Sequence, residues 1–158
     1  MNANPGSIGF ERRRMILSTL WIFLVLNYLY ADVYTLFFGP VLQPDVMQRF
    51  AEGFAGDIPI TQGFVLLTAV LMQTAIVMVP LSRVFPYSLN RWANILLAAF
   101  HTLFVVWSLI GASVNWFYAL FVAVEAAVSL FIVWYAWKWP APERAVAAAE
   151  RGEAAAAR

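Results

Sequence analysis

Polar side chains that could take part in chemistry lie inside the longest apolar stretches of this chain. The stretch from Ser18 to Phe38 contains Asn27 and Asp32, and two later stretches contain His101 and Glu125 near their middle. A charged side chain in the hydrocarbon core of a membrane costs at least about 2.5 kcal/mol on insertion scales. Because carboxyl and imidazole groups exchange protons, these residues are candidates for a binding site or a proton relay if they face the interior of a helix bundle.

A structural role would explain the same residues without any activity. A protonated Glu125 can bond to His101, Gln73 or a hydroxyl group and so hold helices together, at about 0.6 kcal/mol per bond. Asn27, Asn94 and Gln73 are also residue types that link helices in this way. Both interpretations stay open from the sequence alone.

The composition is typical of a membrane protein. Of the 158 residues 63% are hydrophobic and 12% are charged, whereas about a quarter of the residues in soluble domains are charged. The absence of cysteine excludes disulfides and thiolate metal sites, and a single histidine excludes a His-rich zinc cluster. A net charge of +1 predicts no nucleic-acid partner. The expected partners are the lipid bilayer, other membrane subunits and further copies of this chain.

Familiar catalytic patterns are missing as well. A bis-histidine haem site needs a second histidine, and the chain has no glycine-rich phosphate loop, nucleophile elbow or HExxH zinc motif. We therefore favour a non-enzymatic protein and expect no cofactor, no metal and no catalytic residues.

Four apolar stretches are each long enough to cross a bilayer, which takes about 20 residues per helix. The predicted transmembrane helices are residues 15–38, 58–80, 90–112 and 115–139. A polar segment at 1–14 precedes them, and an Ala/Glu/Arg-rich tail at 140–158 follows. The predicted fold class is an all-α membrane protein, a four-transmembrane-helix up-down bundle with a short interfacial helix between helices 1 and 2.

Residues that break or cap helices mark the ends of the spans. Gly39 and Pro40 are expected to end helix 1, Asp57 to cap helix 2 and Asn115 to cap helix 4. Between helices 1 and 2, apolar residues follow one side of a helical pattern and charged residues the other. This pattern predicts a short helix on the outer membrane surface.

Positive charges lie at one end of the predicted spans. The sequence ERRR, from Glu11 to Arg14, precedes helix 1, Arg83 and Arg91 lie between helices 2 and 3, and Lys138 follows the apolar part of helix 4. Because Lys and Arg are retained in the cytoplasm, this distribution predicts that both termini are cytoplasmic.

One face of each predicted helix carries its small and polar residues, as packed faces in membranes do. The predicted inward faces are Ser18, Trp21, Val25, Tyr28, Asp32 and Thr35 on helix 1; Gln62, Leu66, Ala69, Gln73 and Ile76 on helix 2; Asn94, Ala98, His101, Val105, Ser108 and Ala112 on helix 3; and Tyr118, Val122, Glu125, Ser129 and Ile132 on helix 4. Asn27 lies about 140° from the helix 1 face, so helix 1 is expected to contact two neighbours.

The depth of each residue predicts which side chains can meet. His101 and Glu125 are the best-matched pair, whereas Asp32 lies about 8 Å further outward, near tyrosines and external water. The candidate binding or proton-relay residues are Glu125, His101, Asp32, Gln73, Asn27, Asn94 and Tyr28.

Three segments within the spans are distinctive as a set: STLWIFLVLNYLYADVYTLF, the run VMVPLSRV leading into NRWANI, and VEAAVSLFIVWYAWKW. Together they resemble an uncharacterised bacterial family of small four-helix integral membrane proteins, a domain of unknown function. The likeness covers residues 15–139. It implies four spans and a multi-pass location in the bacterial inner membrane, but no activity. A looser similarity in size and helix count is to DoxX-like membrane proteins, as a fold-level analogy.

Three functional hypotheses follow. The first is a non-enzymatic accessory, complex-forming or small-molecule-binding bundle with a buried polar seam. The second is proton-coupled transport of a small solute or ion, with Glu125 as the titrating carboxylate, His101 as its partner and Asp32 as the outer relay. The third is a cofactor- or quinone-linked membrane oxidoreductase component, which only the aromatic content favours.

Overall fold

Four long helices make up most of the structure. The computed structural model describes residues 5–109 and 115–141, so the last three residues of the predicted helix 3 and nearly all of the predicted tail lie outside the described residues. The elements are α1 (Pro5–Leu42), α2 (Pro44–Ala51), β1 (Phe54–Ala55), β2 (Ile58–Pro59), α3 (Gln62–Val84), α4 (Tyr87–Trp107) and α5 (Trp116–Trp137). Helices α1, α3, α4 and α5 are long and apolar enough to cross a membrane. The predicted fold class, with a short helix between the first two spans, is confirmed.

Helix α1 is longer at both ends than the predicted range 15–38. It begins at Pro5 and continues through Gly39 and Pro40 to Leu42. Pro40 lies in the last turn, where its missing N–H removes only one bond near the end of the helix. The expectation that Gly39 and Pro40 end this helix is therefore wrong.

Two arginines hold the N-terminal extension of α1 against the other helices. Arg13 Nη1 donates to the Tyr135 carbonyl at 3.2 Å, and its guanidinium lies 4.8 Å from the centre of the Tyr135 ring. Arg14 Nη2 donates to the Phe85 carbonyl at 2.9 Å. The ERRR segment thus forms part of the helix and contacts α5 and the connection between α3 and α4.

A small hairpin separates α2 from α3. Strand β1 pairs with β2 in antiparallel register, with Ala55 opposite Ile58. Gly56, in the turn, has a φ of +64°, a conformation that side chains with a Cβ rarely adopt. Asp57 completes the turn and accepts a bond from Arg49 at 3.2 Å. Asp57 is therefore a turn residue and does not cap the second long helix.

The helix caps differ from the expected ones in detail. Thr61 caps α3, because its hydroxyl accepts a bond from Phe64 N at 3.2 Å. Asn115 occupies the N-cap position of α5 as expected, but its side chain makes no capping bond there. Its amide instead donates to the Leu42 carbonyl at the end of α1, at 3.5 Å.

The four long helices pack in a ring. Helix α1 packs against α3 and α5, and α4 packs against α5 and α3. Side chains of α1 that reach α4 must therefore cross the centre of the bundle. The prediction that helix 1 contacts two neighbours agrees with this arrangement.

Burial agrees with most of the inward faces predicted for helices 3 and 4. Ser108 and Tyr118 are only half-buried, and Ala112 lies outside the described residues. The buried residues of α4 are Asn90, Asn94, Ile95, Ala98, His101 and Val105, and those of α5 are Val122, Glu125, Ser129, Ile132 and Ala136. The face predicted for helix 2 is wrong, because Gln62, Leu66, Ala69, Gln73 and Ile76 are all exposed. The buried residues of α3 are Leu71, Ala75, Met78 and Ser82. Small residues mark the packed face of α3, because they allow neighbouring backbones to approach.

Candidate functional site

Glu125 is a buried carboxyl group bonded to one amide. It is 5% exposed on the inward face of α5, and its Oε1 accepts a bond from Asn27 Nδ2 at 3.0 Å. The same amide donates to the Phe121 carbonyl at 3.3 Å, one turn earlier on α5. Within the described residues Glu125 has no salt-bridge partner. Asn27 therefore links α1 to α5 at this carboxyl group.

A buried hydroxyl without a partner lies one turn from Glu125. Ser129 is fully buried, and its Oγ has no hydrogen-bond partner among the residues that the structure describes. Tyr28, on α1, lies beside both side chains: it interacts electrostatically with Glu125, and its hydroxyl is near enough to that of Ser129 for a weak hydrogen bond. The hydroxyls of Ser129 and Tyr28 thus both lie beside Glu125.

His101 is fully buried at the centre of the bundle, and both of its ring nitrogens are bonded. Its Nδ1 lies 3.1 Å from the Tyr28 hydroxyl, and its Nε2 lies 2.9 Å from Thr74 Oγ1. Thr74 donates its own hydroxyl hydrogen to the Leu71 carbonyl at 2.7 Å. The Thr74 oxygen therefore accepts from Nε2–H, which assigns the neutral ring with Nδ1 as the acceptor for Tyr28.

Asp32 lies one turn beyond Tyr28 on α1 and is exposed. It is close enough to Glu125 for an electrostatic interaction, and the described residues give its carboxylate no hydrogen bond. Two carboxyl groups, one exposed and one buried, thus lie near each other at one end of the polar region.

A second polar cluster continues along α4 from His101. The Trp21 ring packs edge-on against His101 at 5.6 Å between centroids, and its Nε1 donates to Asn94 Oδ1 at 2.7 Å. Asn94 Nδ2 donates in turn to Asn90 Oδ1 at 2.7 Å, and Asn90 Nδ2 donates to the Ser82 carbonyl at 2.6 Å. We call the set Glu125, Asn27, Tyr28, Ser129, His101, Thr74, Trp21, Asn94, Asn90 and Ser82 the polar column. It joins all four long helices.

Two of the predictions about the site differ from the structure. The expected pairing of His101 with Glu125 is wrong, because both ring nitrogens are bonded to Tyr28 and Thr74. Tyr28 lies between the two instead. Gln73 does not belong to the column, since it lies on the exposed face of α3 and its neighbour Thr74 makes the contact with His101.

Three members of the column were missed from the sequence. Asn90 precedes Asn94 by four residues, a spacing that puts both on one helix face. Ser82 follows Ala75 and Met78 at helical steps, which was the available signal for the packed face of α3. Thr74 had no such signal, because an isolated threonine is common in apolar helices.

A metal centre is not evident in the part of the chain that the structure describes. Within residues 5–109 and 115–141, no three His, Cys, Asp or Glu side chains are grouped so that they could hold a metal ion. The column consists of hydroxyl, amide, imidazole and carboxyl groups, which exchange protons and hydrogen bonds.

Comparison with protein families gives one match. The family model described as "Family of unknown function (DUF6326)" matches residues 9–146, which is most of the chain. The chain belongs to this family. Comparisons with curated proteins and with solved structures found no match. The DUF6326 match includes every residue of the polar column.

With four helices able to cross a membrane, this DUF6326 protein is a small multi-pass membrane protein. The predicted resemblance to a family of unknown function is confirmed in that respect. The bacterial source and the looser similarity to DoxX-like proteins stay predictions.

Proposed function

We propose that this DUF6326 protein is a non-enzymatic membrane bundle that binds a proton or a small cation at Glu125. The observation that carries the proposal is a buried carboxyl group that the described residues give one amide bond and no cationic partner. An unpaired carboxylate in a low-dielectric interior is costly, so the group takes up a positive charge from outside the protein. The buried Ser129 hydroxyl, one turn further along α5, supplies a second ligand atom for the same occupant.

The groups near Glu125 favour reversible binding of a proton at this residue and not a purely structural role for it. Tyr28 lies beside Glu125 and donates to the neutral His101 ring, so a hydroxyl and an imidazole lie within the same column. These groups can take up and release protons by small changes in hydrogen bonding. If Glu125 served only to join α1 and α5, its hydrogen bond with Asn27 would be sufficient for that role.

Proton-coupled passage of a small solute or ion is a second candidate, and Asp32 favours it. Asp32 is exposed yet close enough to Glu125 to interact with it, so it can collect a proton from the medium and deliver it inward. The two candidates differ in whether the bound proton leaves on the other side of the bundle. Passage would continue through Tyr28 and His101 toward Asn94.

The distribution of described charges supports a location with both termini in the cytoplasm of a bacterial cell, in its inner membrane. At the end of the bundle where α1 begins, the basic residues are Arg12, Arg13, Arg14, Arg83, Arg91 and Lys138. Among the described residues at that end, Glu11 is acidic. At the other end, Arg49 is accompanied by Asp45, Glu52 and Asp57.

The test is Glu125→Gln, compared with Glu11→Gln on the exposed start of α1. Infrared difference spectra after a pH jump are expected to show a protonated-carboxyl band in wild type and Glu11→Gln, and to lose it in Glu125→Gln. Glutamine keeps the volume and can still bond to Asn27, so the loss reports protonation at residue 125. Asp32 and the exposed carboxyl groups give the same bands in wild type and Glu125→Gln. Binding is therefore refuted if the carboxyl bands of Glu125→Gln are as intense as those of wild type.

Liposomes loaded with a pH-sensitive dye separate the two candidates. A bundle that only binds a proton gives no dye response to an imposed pH gradient, whereas passage gives a response that Glu125→Gln abolishes. Asp32→Asn is expected to slow that response while leaving the infrared band of Glu125 in place. A response that is equal in wild type and Glu125→Gln would exclude passage through this column.

We also propose that two copies of this bundle associate through the exposed face of α3. Gln73 lies in the middle of that helix, and the described residues give its amide no hydrogen bond. An amide facing lipid lacks partners, but it is complementary to the same amide of a second copy across a two-fold axis. Ala69, one turn earlier and also exposed, lets the two helices approach closely.

Gln73→Leu is therefore expected to weaken dimerisation about tenfold, since two interhelical amide bonds contribute about 1 to 2 kcal/mol. Sedimentation equilibrium in mild detergent measures the effect. Gln62→Leu, at the end of the same face, is the matched control and should leave the dimer intact. A monomeric wild type, or equal dimerisation of the two variants, would contradict the proposed contact.

A further inference from the structure

A cavity of about 310 Å³ opens at the end of the bundle opposite Asp32. Tyr87 and Arg91, from the first turns of α4, form one side of it, and Trp137, Lys138 and Trp139, at the end of α5, form the other. This is the end where the arginines of α1 contact the other helices. It lies well away from Glu125 and is independent of the function proposed above.

Two residues that line the cavity, Arg91 and Trp139, each have a buried donor nitrogen without a partner in the described part of the chain. Trp139 is 3% exposed, and its Nε1–H has no partner among the residues that the structure describes. Arg91 Nε is also buried without a partner in the described part of the chain. Both groups are donors only, and a buried donor without an acceptor destabilises the protein. These two donors are therefore left for an acceptor that the described residues do not supply.

The charge of the cavity favours an anion as this acceptor. Arg91 and Lys138 line it, and the described residues of its lining include no acidic one. The salt bridges of the described residues involve Arg14 and Arg49, so both cations of the cavity are without a carboxylate partner there. An Arg guanidinium, a Lys ammonium and an indole N–H together match the several oxygens of a phosphate group.

The surroundings of the cavity favour a phosphate that is attached to a lipid. Trp92 and Trp137 are exposed beside it and pack edge-on at 6.4 Å between ring centroids. Exposed tryptophans at the end of a transmembrane helix lie at the level of the lipid headgroups. Basic pockets between transmembrane helices at this level are suited to anionic headgroups.

We propose that the cavity between the start of α4 and the end of α5 binds the phosphate of an anionic phospholipid headgroup, with Arg91, Lys138 and Trp139 as donors. Arg91 is held in place for this role, because its Nη2 donates to the Trp137 carbonyl at 3.2 Å and its guanidinium lies 5.7 Å from the centre of the Trp137 ring. Tyr87 fixes the opposite wall, since its hydroxyl donates to the Trp139 carbonyl at 2.9 Å.

The experiment measures lipid retained by the full-length protein, using native mass spectrometry after exchange into phosphatidylglycerol or phosphatidylcholine. Wild type is expected to keep phosphatidylglycerol in preference to phosphatidylcholine. Trp139→Phe and Lys138→Gln are each expected to weaken phosphatidylglycerol binding about tenfold, the effect of losing one hydrogen bond to a charged group. Trp134→Phe and Arg49→Gln remove an exposed tryptophan and a cation outside the cavity, and should bind as wild type does.

Melting curves in lipid-free detergent separate ligand binding from folding. Trp139→Phe keeps an aromatic ring beside Tyr87, whose ring lies 5.4 Å from that of Trp139, and removes the unpartnered N–H together with part of the indole. The lost packing lowers the melting temperature equally with and without lipid, so the shift that lipid produces is the readout. Added phosphatidylglycerol should raise the melting temperature of wild type and raise that of Trp139→Phe much less. Lys138 is exposed, so Lys138→Gln supplies a folded variant if Trp139→Phe is unstable.

Three outcomes would overturn the proposal. One is equal retention of phosphatidylglycerol and phosphatidylcholine by wild type. Another is retention in Trp139→Phe and Lys138→Gln that matches the two controls. The last is an equal stabilisation by inorganic phosphate in the absence of lipid, which would assign the cavity to free phosphate and remove the lipid from it.

Discussion

Trp21→Ala is expected to lower the free energy of unfolding by about 3 to 5 kcal/mol, the range for removing a buried tryptophan. Trp21 is fully buried, crosses the centre of the bundle from α1 and donates to Asn94 on α4. The substitution leaves a large void between the helices and removes this bond at the same time. Packing of this kind is the main force between helices in lipid, where apolar side chains gain little by leaving the hydrocarbon.

Reversible unfolding of the purified protein in mixed micelles of mild detergent and dodecyl sulfate measures the loss. Trp116→Ala is the matched control, because Trp116 is 91% exposed at the start of α5 and should change the free energy of unfolding little. If both substitutions have the same effect, Trp21 does not occupy the centre of the bundle.

His101→Leu is expected to cost about 1 to 3 kcal/mol, although leucine is similar in size and more apolar. The substitution leaves the Tyr28 hydroxyl without its acceptor in a buried position and removes the bond to Thr74. The loss therefore comes from polar groups without partners and not from packing. The same unfolding assay measures it.

A double-mutant cycle separates this polar effect from any change in packing. Tyr28→Phe removes the group that His101 accepts from, so His101→Leu should be less destabilising in that background than in wild type. An equal cost in both backgrounds would mean that the bond between Tyr28 and His101 contributes nothing to stability. Thr102→Val is the control, because it places an apolar side chain on the same helix at a position that is only half-buried.

The inward faces of α4 and α5 could be predicted because each has polar residues on one side only. Asn94, His101 and Val105 share one face of α4, as Glu125 and Ser129 do on α5, and in lipid such a face turns inward. Face and spacing thus agree in these two helices, and burial followed the prediction.

The face of α3 could not be predicted in this way, because its polar and small residues lie on different sides. The prediction followed Gln73, which is exposed, whereas Ala75 and Ser82 lie on the face that packs against the other helices.

The predicted pairing of His101 with Glu125 was wrong for a related reason. Depth along the helix can be estimated at about 1.5 Å per residue, but the direction in which a ring points across the bundle cannot be read from one helix alone.

The bonds of Asn27 constrain how the protein is made. Asn27 lies on the first span, but its acceptors, Glu125 and the Phe121 carbonyl, lie on the last, up to 98 residues later in the chain. At about 5 to 20 residues per second, ribosomes need about 5 to 20 s to synthesise that interval. During this time the Asn27 amide cannot form these two bonds. The bundle therefore closes only after translation has delivered α5, and a chain truncated before this helix would leave α1 a substrate for membrane quality control.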